Sequence, residues 1–210
     1  MAGREVASIV TDDDVAVENS TDTTGRRGVA GMVGAAAEIG TPRSALKALG
    51  DDVNRRTRSM GVALKPCTVP AAGREFALAD DEMEMGVGIH GGPGRRRVPL
   101  ASADELLRSI LKELAPKQGS EVLLLVNGFG ATALMQRYLM ANTKADSGRR
   151  GDRGAAHLTG SDVTALDMAG ASVTVDVLDG QAKALSVGRA GAHGGAQGQI
   201  LAPKPASDSV

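Results

Sequence analysis

The chain has 210 residues, 24 basic against 25 acidic, and a formal net charge of −1, so no long-range field draws it to nucleic acid or an anionic membrane. It holds 28 Gly, one Tyr (Tyr138), two Phe (Phe76 and Phe129) and no Trp, so its core must be built from Ala, Val, Leu, Ile and Met, with little apolar area per residue. The lone Cys67 cannot form an internal disulfide, no apolar run approaches the ~20 residues of a membrane span, and Arg4 and Glu5 break any signal-peptide pattern, so a cytoplasmic protein is expected.

In chain order, Val6–Val10 reads as a short strand that stops at Asp12-Asp13-Asp14. Gly31–Glu38 reads as a stub of helix, and Ser44 to about Arg58 as a fuller one, with Leu46, Leu49 and Val53 on one stripe. Met60–Leu64 reads as a strand, and Pro66–Gly73 as an extended connection stiffened by two prolines. A second strand leads into Gly86-Val87-Gly88-Ile89-His90-Gly91-Gly92-Pro93-Gly94. Ser102 and Glu105 have capping-box spacing and open a helix with Leu106, Leu107, Ile110, Leu111 and Leu114 on one face, ended by Pro116 and Gly119. Glu121–Val126 is a continuous apolar run suited to a buried strand, followed by a glycine turn and a helix over about Thr132–Met140. Lys144–Gly160 reads as polar loop, Ser172–Leu178 as an alternating strand, Asp179-Gly180 as a turn, and 188–210 as a disordered tail.

Several residues could carry chemistry. His90 sits among glycines that leave its imidazole open to a small molecule, and an unperturbed pKa near ~6.5 leaves much of it neutral and nucleophilic at physiological pH; a solvated loop histidine is the plainer alternative. Asp12–Asp14 lack the alternation and distal glutamate of a calcium loop, which leaves turn and cap chemistry. Gly128, Gly130 and Ala133 match a dinucleotide-binding spacing, but the following residues 144–160 show no second strand ending in an acidic residue. Arg26-Arg27, Arg95-Arg96-Arg97 and Arg149-Arg150 read as solvated turns, without the aromatics that stack single-stranded nucleic acid. No metal-ligand spacing links His90, His157, His193 and Cys67, so no metal is expected.

Six ordered blocks resemble the substrate-binding K domain of dihydroxyacetone (glycerone) kinases: Asp13–Val17, Gly25–Gly31, Cys67–Gly73, Glu82–Gly91, Val126–Thr132 and Thr164–Gly170. The resemblance implies an α/β fold, the C-terminal part of a two-subdomain architecture with sheets flanked by helices. It divides the chain into a partial K-type domain over 1–187, with 1–80 a remnant of the first subdomain and 81–187 the second, and the tail at 188–210. It also implies that His90 is the histidine whose ring nitrogen adds to a ketone carbonyl and holds dihydroxyacetone, or a related short ketose or aldose, as a hemiaminal. Glycerol has no carbonyl to attack, so covalency supplies specificity.

The same resemblance implies ATP and Mg bound by a separate L-type nucleotide-binding domain or subunit, with no cofactor on this chain, and a homodimer. The phosphoryl donor is left open between ATP and a phosphotransferase-system protein. The family's upstream half, with a second histidine and an aspartate that act as acid and base, has no counterpart here, and Gly92 stands where a glutamate is usual. Two readings follow: part of a glycerone kinase that binds its substrate through His90, or an inactive truncated relative serving at most as an interaction module.

Overall fold

The computed structural model describes residues 5–16, 26–71, 73–74, 76–88, 94–117, 120–147 and 154–188. Helices α1 (Arg26–Glu38) and α2 (Arg43–Arg56) pack on each other and lead into β1 (Thr57–Lys65). A small hairpin of β2 (Thr68–Val69) and β3 (Gly73–Arg74) precedes β4 (Glu82–Met85) and β5 (Arg96–Pro99). Then come α3 (Ala103–Leu114), β6 (Val122–Gly128), α4 (Leu134–Ser147), β7 (Gly154–Gly160), β8 (Ala169–Val177) and α5 (Gly180–Gly188).

Six strands form one sheet in the order β5-β4-β1-β8-β6-β7. Every pairing is antiparallel except β6 with β7, which run parallel because α4 carries the chain back across the sheet. β1 comes from the first part of the chain yet lies in the sheet interior, with eight residues paired to β8 and two to β4.

Side-chain alternation sends the strands' residues to two layers of helices. On one side Met60, Val62, Leu124, Val126, Val173 and Val175 pack with Leu106, Leu107, Ile110 and Leu114 of α3 and Met140 and Ala141 of α4. On the other, Leu123 and Leu125 of β6 pack with Val29, Met32 and Ala36 of α1, Leu49 and Val53 of α2, and Ala182 of α5. β6 is buried along its whole length, as a strand covered on both faces must be.

Local sequence fixes α3 at both ends. The Ser102 side chain accepts from the Glu105 backbone N–H and the Glu105 carboxylate accepts from that of Ser102, completing the capping box. The Ser102 hydroxyl also donates to the Glu105 carboxylate at 2.8 Å, and this bond, with that from the Ser102 N–H, holds the Glu105 carboxyl below its ordinary range. Ala115 closes the helix in the left-handed region, at φ 41°, one residue before Pro116.

The expected α/β class, a sheet flanked by helices, is what forms, but several elements differ. Residues 5–10 form no strand; strand contact at this end is a bridge between Asp14 and Ser59. The first helix starts at Arg26 rather than Gly31, because its small residues pack on α2 and α5 and tertiary contact outweighs weak helix propensity. The helix after the glycine turn runs on to Ser147, and β7 occupies 154–160, where a polar loop is expected; pairing along β6 supplies order that composition does not show. Of Arg95–Arg97, all exposed, Arg95 stands at a bend, but Arg96 and Arg97 belong to the edge strand β5, and ion pairs to Glu113 and Glu84 hold the three. Gly180 begins a helix instead of closing a turn, and α5 docks Ala182 and Leu185 into the α1/α2 layer. Apart from Gly188, the expected disordered tail lies outside the described residues. No described helix is long and apolar enough to cross a membrane.

Candidate functional site

His90 itself lies outside the described residues, but both ends of its loop are inside them. At the entry, Gly86 turns the chain with φ 81°, which glycine adopts at low cost, and its N–H donates to the Gly61 carbonyl at 2.7 Å. Val87 and Gly88 then run buried. At the exit, the Arg95 N–H donates to the Met85 carbonyl at 2.7 Å, which brings the chain back beside its point of departure. A segment of five residues, 89–93, is thus pinned at both ends on the sheet.

Four of the six sequence blocks meet at those anchors. Val87 packs with Ala63, Cys67, Phe129, Ala165 and Met168, one residue or more from each of the Cys67, Val126 and Thr164 blocks. Close approach explains their glycines: a Cβ at Gly61 would run into the Val87 carbonyl, and one at Gly170 into the Val62 carbonyl and the Phe129 ring. Cys67 is buried in this cluster as an apolar side chain.

Polar side chains fix the loop after β7. Asn127 Oδ1 accepts from the backbone N–H groups of Asp162 at 2.7 Å and Val163 at 3.0 Å, and its Nδ2 donates to the Val163 carbonyl at 2.7 Å and Ser172 Oγ at 3.2 Å. The Thr132 hydroxyl both donates to the Gly170 carbonyl and accepts from the Gly170 N–H. Asp167 Oδ1 accepts from the Thr68 N–H at 2.6 Å and ties the β2–β3 hairpin to the same place. Sequence reasoning places Asn127 and Thr132 in blocks without giving them a role; the signal is a polar residue closing an otherwise apolar buried strand.

The remaining two blocks meet elsewhere, under α1. Asp13 is buried, its carbonyl accepts from the Ser59 N–H at 2.7 Å, and its carboxylate accepts from the Ser59 hydroxyl. Asp14 Oδ1 accepts from the Ala16 N–H at 2.8 Å, the local turn bond expected of this run. Asp176 of β8 is 1 % exposed, and its Oδ1 accepts from the Thr57 hydroxyl at 2.5 Å. Gly28 lets α1 lie on Asp176, since a Cβ there would collide with the carboxylate; the side chains of Arg26 and Arg27 lie outside the described residues. Burial pushes the Asp176 carboxyl up to about 7 from 3.8; the Thr57 hydrogen bond opposes this, Asp13 adds to it, and Arg56 opposes it. The sequence holds a sign of this seam: Ser172, Thr174 and Asp176 put a polar residue at every inward position of one strand face.

Gly128 and Gly130 have packing roles. Gly128 accommodates the stem of Arg137, and Gly130 lies against the Leu166 carbonyl, where Leu166 itself has φ 28°. The second parallel strand whose absence weighs against a dinucleotide site does exist, as β7, but the space at both glycines is taken by the protein's own atoms. His157 pairs with Leu124 along β7, its side chain outside the described residues, as is all of His193. Among the described residues no group of three or more His, Cys, Asp or Glu side chains is placed to hold a metal ion.

A six-stranded sheet between two helical layers, with four motif blocks meeting at residues that flank one glycine-rich segment, defines an α/β domain. Residues 1–192 match the Dak1 domain, and the chain belongs to that family. It is 44% identical over 183 residues to the dihydroxyacetone-binding subunit DhaK of PTS-dependent dihydroxyacetone kinase 1 from Listeria innocua, covering 81% of this chain and 56% of that protein. It is 40% identical over 223 residues to the dihydroxyacetone-binding subunit DhaK of the PEP-dependent kinase from Escherichia coli, covering 88% of this chain and 62% of that protein. The chain thus spans little more than half the length of these relatives. Among solved structures it is similar to the dihydroxyacetone kinase operon co-activator Dha-DhaQ, with a TM-score of 0.77, 26% identity and coverage of 84% of this chain and 59% of that one. The native dihydroxyacetone kinase of C. freundii, at 22% identity, shares the fold with a TM-score of 0.77 over 99% of this chain and 39% of that one.

Proposed function

We propose that this chain binds dihydroxyacetone, or a related short ketose or aldose, covalently through His90, as the substrate-holding part of a glycerone kinase. The observation that carries the reading is the convergence of four motif blocks on the pinned ends of the His90 segment. Relatives named as dihydroxyacetone-binding subunits supply the ligand class. In the step proposed, a ring nitrogen of His90 forms a bond to the carbonyl carbon, the C=O π bond opens, and the ring proton ends on the former carbonyl oxygen. Nothing leaves, so the adduct is a reversible hemiaminal that fixes the substrate's terminal hydroxyl for phosphoryl transfer.

The unit that carries this function is residues 1–187, acting in the cytoplasm, as a homodimer, with a separate L-type unit that holds ATP and Mg. Carbon NMR with ketone-labelled dihydroxyacetone tests the binding step: a tetrahedral carbon signal is expected with the full chain and not with His90→Ala. An adduct unchanged in His90→Ala, or no adduct with a cooperatively folded chain, overturns the proposal.

A further inference from the structure

We infer that the carboxyl ends of β6 and β7 form a phosphate-binding subsite, built from Arg137 of α4, Ser161 after β7 and Thr159 of β7, on the sheet face opposite the acidic seam. The first observation is an under-used guanidinium. Every other arginine whose side chain the structure describes meets a carboxylate or a backbone carbonyl. Arg137 meets neither: its Nη1 donates to Ser161 Oγ, and its buried Nε–H has no acceptor. Leaving a buried charged donor unmatched is costly, which is why such groups ordinarily mark a missing counter-charge.

The second observation is independent of the arginine. Thr159 is 2 % exposed, and its buried Oγ1 has no hydrogen-bond partner. Register places it on the same side: Thr159 pairs with Val126, whose side chain faces α3 and α4, and Gly128, over which the Arg137 stem lies, is two residues further along that face. Ser161, two residues beyond Thr159, continues the row at the strand's end. Since Ser161 Oγ already accepts from Arg137, its own proton is left to donate outward.

Register and the Arg137–Ser161 hydrogen bond thus bring a guanidinium and two hydroxyls to one end of one sheet face, and a phosphate offers several acceptor oxygens to such a set. β6 and β7 are the parallel pair of the sheet, and the region outside the carboxyl ends of parallel strands is where α/β folds bind ligands. The nearest carboxylate in sequence, Asp162, is exposed and turns its backbone N–H to Asn127. The His90 anchors, Gly61 of β1 and Met85 to Val87, share no residue with Arg137, Ser161 and Thr159, so this is a second set of groups, although Phe129, one residue after Gly128, packs on Val87.

Titration calorimetry of the full chain with inorganic phosphate, at ionic strength held constant with chloride, tests this. Saturable millimolar binding is expected, weakened about ten-fold or more by Arg137→Gln and measurably by Thr159→Val, and unchanged by His90→Ala. Glycerol 3-phosphate run alongside distinguishes the source: tighter binding of the ester assigns the subsite to a phosphorylated small molecule, equal binding to free phosphate. Equal affinity in wild type and Arg137→Gln, or no saturation in wild type, overturns the inference. If Arg137→Gln fails to melt cooperatively, Thr159→Val decides, since it removes one hydroxyl at nearly constant volume, and unchanged affinity there overturns the subsite as drawn.

Discussion

On the side of the sheet covered by α3 and α4, β1 and β8 present Met60, Val62, Val173 and Val175. On the side covered by α1, α2 and α5 the same two strands present Thr57, Ser59, Ser172, Thr174 and Asp176, every one of them buried. Burial is alike, but the means of satisfying it differ. The first side relies on apolar contact, which is indifferent to pH. The second needs a partner for each polar group, and in Asp176 it buries an acid whose Oδ2 has no hydrogen-bond partner among the described residues. α1 is therefore seated on a surface whose stability depends on protonation, while α3 is not.

The largest expected effect breaks the apolar side. Leu124 is fully buried in β6, and Leu124→Ala should cost up to about 5 kcal/mol, read as a lower denaturant midpoint with little dependence on pH. Next in size is the seam. Because the folded Asp176 carboxyl titrates near 7 and the unfolded one near 3.8, the native state keeps a proton between those values that the unfolded chain has released. Stability from this group is complete below the lower value, falls as pH rises through the window, and levels off above about 7. Asp176→Asn should flatten that slope and make the chain more stable than wild type at pH 8, by on the order of 4 kcal/mol; equal slopes in urea melts across the window would refute it. The smallest effect sharpens the contact between helix and seam. Gly28→Ala should destabilise by about 1–3 kcal/mol despite alanine's better helix propensity, because the new methyl meets the Asp176 carboxylate. Asp176→Ala in the same background should recover part of the loss in a double-mutant cycle.

Much of this was legible from residues alone. The capping box and leucine stripe define α3 before any tertiary contact forms, because their signals are local in sequence. The apolar run of β6 announces a strand buried on both faces. The ordered blocks, His90 among them, identify the family, and the match of residues 1–192 agrees. β7 and the second half of α4 were not legible, since their order comes from pairing with β6 and packing across the sheet rather than from composition.

What the chain determined by itself was therefore its short-range chemistry: caps, turns, apolar stripes and a glycine-flanked histidine. Only the tertiary structure decided which of these lie together. It brought four blocks to the ends of one five-residue segment, laid α1 on Asp176, and placed Arg137 over Gly128 beside Ser161. The physical reason is that strand order and register join residues far apart in sequence, as Thr57 meets Asp176, and no local pattern encodes that pairing.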